Sequence, residues 1–88
     1  MITTTLSINN QLGLHARASA KFVATAAKYQ SSLQVTKNNQ SINGKSIMAV
    51  MMLAATKGEQ IILEVDGPDE REMMQALTDL INNKFNEE

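Results

Sequence analysis

Apolar residues in this 88-residue chain recur at every second position in some stretches and at every third or fourth in others, and the two periods alternate along its length. Strands have the first period and helices the second, so the chain is limited to folds that mix sheet and helix. Residues 2 to 8 alternate apolar with hydroxyl side chains and are rich in β-branched types, which predicts a half-buried strand. Asn9, Asn10, Gln11, Leu12 and Gly13 break it. From Ala16 to about Lys28 the chain is alanine-rich and predicts a helix, with Ala16, Ala20, Val23 and Ala27 as its apolar stripe and Phe22 and Ala26 beside it.

Residues 32 to 36 alternate again, Asn38 and Asn39 supply a turn, and residues 40 to 42 return as a short strand, which makes a hairpin. Ile47 to about Ala55 is apolar nearly all round and reads as a short helix framed by Ser46 before it and Lys57-Gly58 after it. The run from Gln60 to Val65 reads as a central strand. Asp66, Gly67, Pro68 and Asp69 form a turn, with Asp69 and Glu72 spaced as a capping box. The last helix carries Met73, Leu77, Leu80, Ile81 and Phe85 as its buried stripe. The order βαββαβα predicts one domain over residues 1 to 88. Its class is α+β, an open-faced sandwich in which a four-stranded antiparallel sheet is covered on one face by three helices.

There is no cysteine, so disulfides and thiolate metal sites are excluded and a reducing, cytoplasmic location is expected. No apolar run approaches the ~20 residues that span a bilayer, and insertion into a membrane is not expected. Net charge is −1, yet the first acidic residue is Glu59. Arg17, Lys21, Lys28, Lys37, Lys45 and Lys57 give the first 58 residues +6; nine acids against Arg71 and Lys84 give the rest −7. Such polarity suits a partner with an acidic docking face. Nucleic acid is a poor fit, since the basic residues are sparse and only Phe22, Tyr29 and Phe85 are available to stack on bases.

His15 is the only histidine. It stands at the start of the alanine-rich helix, where the free amides of Ala16, Arg17 and Ala18 and the positive helix end favour an anion such as phosphate. The neutral form of such a ring is the nucleophile. Arg17 is placed to fork its guanidinium onto phosphoryl oxygens. Together these residues describe a phosphohistidine site, and they also fit simple anion binding. No acid precedes residue 59 to orient the histidine, and a single histidine without cysteine leaves a metal only carboxylates. Neither a turnover enzyme nor a metal or cofactor is therefore expected. Ser46 is a good helix cap. Ile47, Met48, Met51 and Met52 are apolar on more faces than a short helix needs, which offers an adaptable docking surface with Lys21 and Lys45 as a charged rim.

Gly13-Leu14-His15-Ala16-Arg17 resembles the active-site motif G-L-H-A-R-P-A of the HPr family of phosphocarriers, at the matching distance from the first residue. Gly44-Lys45-Ser46-Ile47-Met48 resembles the regulatory serine segment of the same family, and length and element order agree over nearly the whole chain. The resemblance implies that His15 is phosphorylated on Nδ1 by enzyme I and passes the group to IIA-type proteins of a phosphotransferase system, with Arg17 neutralising the phosphate. It further implies that Ser46 is a target of an HPr kinase/phosphorylase. The chain is expected to act as a monomer. Ala18 departs from the pattern, since the family usually has proline there; the loss of a preset φ costs only ~0.4 to 1 kcal/mol. An alternative is a regulatory module, of the nitrogen branch or read through phosphorylated Ser46, which signals without feeding sugar transport. Lys57-Gly58-Glu59-Gln60-Ile61 followed by Asp66-Gly67-Pro68 resembles nitrogen-branch relatives as much as sugar carriers.

Overall fold

The computed structural model describes residues 1 to 86. In chain order the elements are β1 (Ile2–Ser7), α1 (Ala16–Ala26), β2 (Ser32–Lys37), β3 (Gln40–Asn43), α2 (Ile47–Leu53), β4 (Gln60–Asp66) and α3 (Glu70–Asn82), with a final 3₁₀ turn at Lys84–Asn86. All pairings are antiparallel and the strands lie in the order β1-β4-β2-β3. β4 is thus central, as its run of apolar residues predicts. Ile61, Leu63 and Val65 face the helices and are fully buried, while Gln60 and Ile62 are exposed on the other side. Asn38 and Asn39, at φ 49° and 69°, turn the β2–β3 hairpin; asparagine tolerates this left-handed pair better than most residues.

One face of the sheet is covered and the other is not. Phe22 and Ala26 of α1, Val50 and Leu53 of α2, and Met73, Leu77 and Ile81 of α3 pack on Leu33, Val35, Ile61, Leu63 and Val65. The uncovered face is a carpet of small polar side chains, among them Thr3, Thr5, Ser7, Gln34 and Ser41.

Four details differ from the sequence reading. In α1 the buried residues are Ala18, Ser19, Phe22 and Ala26, while Ala16, Ala20 and Ala27 are exposed and Val23 is half-buried. Alanine stripes carry little burial energy, so the one large side chain, Phe22, sets the rotation of the helix. α2 stops at Leu53 because Ala54 turns left-handed, at φ 55° and ψ 38°; Gly58 serves the turn into β4 instead. The capping box at α3 does not form. The Asp69 carboxylate accepts hydrogen bonds from the Gln30 amide at 2.8 Å, the Ser31 amide at 2.9 Å and the Ser31 hydroxyl at 2.5 Å. It thereby ties the start of α3 to the segment between α1 and β2, a long-range gain that outweighs a local cap. Phe85 is buried, but it lies beyond α3 in the 3₁₀ turn. Among the described residues, no helix is long and apolar enough to cross a membrane.

Candidate phosphohistidine site

His15 is the N-cap of α1, with extended backbone at φ −77° and ψ −177°. Its Nδ1 accepts a hydrogen bond from the Arg17 backbone N–H at 3.2 Å, so a cap normally supplied by an oxygen is supplied by a ring nitrogen. An accepting Nδ1 carries a lone pair, which places the proton of the neutral ring on Nε2. The nitrogen with nucleophilic character is therefore the one held at the positive end of the helix.

The segment leading to His15 is fastened on both sides. The Leu14 amide donates to the Ala55 carbonyl at 2.9 Å, just past α2, and the Leu14 carbonyl accepts from the buried Ser19 hydroxyl at 3.1 Å. Asn10 is fully buried, and its side-chain amide donates to the Gly13 carbonyl at 2.8 Å, closing the turn from within. Gly13 has φ +66°, and a Cβ there would sit 2.5 Å from the Ala55 oxygen, so both conformation and close approach require glycine. These contacts fix where the imidazole points.

His15 and Arg17 line a cleft of about 680 Å³ with Leu12, Ala16, Ala18, Lys21, Phe85 and Asn86. Arg17 is exposed and Lys21 half-buried, its Nζ donating to the Phe85 carbonyl at 2.9 Å. Two cations, a ring nitrogen and a helix start thus converge on one opening. That arrangement suits a tetrahedral anion attached to Nδ1. Among the described residues, no group of three or more histidine, aspartate or glutamate side chains is placed to hold a metal ion.

Ser46 is the N-cap of α2, its hydroxyl accepting from the Ala49 amide at 3.3 Å. α2 leaves Met48 67% and Met52 72% exposed, with Ile47 and Met51 more than a third exposed and Leu12 at 66% on the loop before His15. Lys45 does not stand free beside them: its Nζ donates to the Tyr29 carbonyl at 2.7 Å. The sequence reading takes Asn10 only as a strand breaker and does not name Ser19 or Asn86, because no spacing rule marks their roles; only a serine in an alanine-rich helix hints at a tertiary hydrogen bond.

A family model, the phosphorylation site of the PTS HPr component, matches residues 2–83. The chain belongs to the HPr family. Members are phosphocarriers of the phosphotransferase system, and the open-faced sandwich is their fold. The phosphocarrier protein HPr of Neisseria meningitidis is 59% identical over 87 residues, covering 99% of this chain and 98% of the relative. That of Xylella fastidiosa is 48% identical over 88 residues, covering 100% and 99%. The crystal structure of HPr-C-His from Thermoanaerobacter tengcongensis superimposes with a TM-score of 0.96 at 46% identity, covering 100% of this chain and 99% of that one. The HPr-type motif at residues 13 to 17 lies at this cleft, which His15, Ala16 and Arg17 line.

Proposed function

We propose that His15 carries the phosphoryl group, taking it from phosphorylated enzyme I and giving it to IIA-type proteins in the cytoplasm, the chain working as a one-domain monomer. The observation that carries this reading is the hydrogen bond from the Arg17 amide to Nδ1. In the transfer, the Nδ1 lone pair forms a bond to phosphorus as the bond from phosphorus to the donor breaks, and the donor keeps that electron pair. The lone pair cannot serve the amide and phosphorus together, so the Arg17 N–H leaves Nδ1 and turns to a phosphoryl oxygen. The amides of Ala16 and Ala18 and the guanidinium of Arg17 favour the same charge. The protein takes up one group and passes one on, which is carrying and not turnover.

Ile47, Met48 and Met51, joined by Leu12 and Met52, form the docking face of this proposal. Flexible thioethers repack against partners of different shape, which a carrier with several partners needs. Ser46 caps the helix that bears this face, so a phosphate added there by a kinase brings roughly −1.5 to −2 charge next to an apolar contact. That supports a regulatory role for Ser46 through docking. The test is phosphoenolpyruvate-dependent labelling by enzyme I. The wild type labels and His15→Ala does not, while the variant stays folded with a loss of about 0.5 to 2 kcal/mol from the missing cap. Label on the variant would overturn the assignment.

A further inference from the structure

We propose that Lys21 is a second phosphate-facing cation of the His15 cleft, and that the turn at Lys84–Asn86 is the device that aims it. The proposal rests on the phosphocarrier reading of His15. Lys21 lies four residues after Arg17, hence on the same side of α1, and both line the cleft with His15. Lys84, Phe85 and Asn86 have φ of 56°, 55° and 59°, three successive non-glycine residues in the left-handed region. Such a run is unfavourable in isolation and persists only where the surroundings impose it. Here the Phe85 side chain, 2% exposed, anchors it in the core. The consequence is geometric: the Phe85 carbonyl meets the Lys21 ammonium, and Asn86 becomes a wall of the cleft.

A carbonyl orients an ammonium without neutralising it. Lys37 offers the contrast, since Glu59 at 3.3 Å cancels its charge. Lys21 keeps its charge, and one of the three N–H donors of an ammonium suffices for Phe85. Arg17 is exposed, whereas Lys21 is half-buried and held by the Phe85 carbonyl. A cation held beside phosphohistidine slows loss of the group to water. In that reaction water oxygen bonds to phosphorus, the P–N bond breaks with its electron pair returning to Nδ1, and the ring, which keeps its proton on Nε2, leaves neutral while the protons of water pass to phosphate and solvent. A neighbouring ammonium stabilises the charge on the phosphoryl oxygens of the intact phosphohistidine and so holds the group in place.

The test uses the phosphorylated protein freed of enzyme I and phosphoenolpyruvate, with hydrolysis followed at neutral pH. Lys21→Met, which keeps the length of the stem, is expected to hydrolyse about fivefold faster, the upper range for a partly exposed ion contact. Lys21→Arg is expected to restore the slow rate. A residue serving only docking would alter transfer from enzyme I and leave hydrolysis unchanged, and that result would overturn the proposal. A second measurement needs no partner: inorganic phosphate titrated into the unphosphorylated protein, read by NMR shifts of the Ala16, Arg17 and Ala18 amides. It is expected to bind Lys21→Met more weakly, and equal binding overturns the proposal. Failure of the wild type to accept label from enzyme I would count against the His15 reading, while the phosphate titration still decides Lys21.

Discussion

Single residues set the path of the backbone that bears His15. Gly13 is the plainest case, because a Cβ at that position meets the Ala55 oxygen and the backbone is left-handed. Gly13→Ala is expected to destabilise the fold by about 1 to 3 kcal/mol in urea unfolding and to slow phosphorylation of His15 as the loop shifts. Asp69 decides another join. The Ser31 hydroxyl, then the Gln30 amide, hold its carboxyl below the usual carboxylate range. A depressed folded value means that the stabilisation is present above the ordinary carboxylate range near pH 4 and disappears as pH falls through the folded value. Asp69→Asn is therefore expected to be less stable than the wild type near pH 7 and to approach it near pH 3, with unfolding midpoints as the measure. At this scale the sequence singles out His15 and Arg17 as candidates, because their chemistry is intrinsic to the side chain. It is silent on the roles of Asn10 and Ser19, which arise from partners that only folding brings close.

At the scale of elements, every strand and helix was legible, because apolar period and turn chemistry are local. What failed were the phases and ends set by other elements: the rotation of α1 toward Phe22, the diversion of Asp69 to Ser31, and the stop of α2 at Ala54. Ala54 occupies the left-handed position that usually falls to glycine. Ala54→Gly is expected to stabilise by up to about 1 kcal/mol in thermal unfolding, relief of the left-handed strain outweighing the freer unfolded chain. At the other end of the same helix, Ser46→Ala is expected to cost about 1 kcal/mol through the lost cap, measured in the same way. α2 is thus a short element whose two ends pull in opposite directions, which suits a segment that presents a docking face.

At the scale of the molecule, the division of labour between the two faces of the sheet matters most. The helices cover one face and carry the His15 loop, the exposed methionines and the cleft; the other face offers threonine, serine and glutamine. On the proposed reading, phosphoryl transfer and docking both use this covered side of the sheet, and one partner at a time is expected there. Donor and acceptor are then expected to take turns, each handover requiring the previous companion to leave. Traffic through the carrier then depends on how quickly partners let go, and tight attachment to either would be a traffic jam. An excess of an acceptor that cannot itself be phosphorylated is expected to slow charging by enzyme I in simple competition, and a rate unaffected by it would mean that two visitors fit at once.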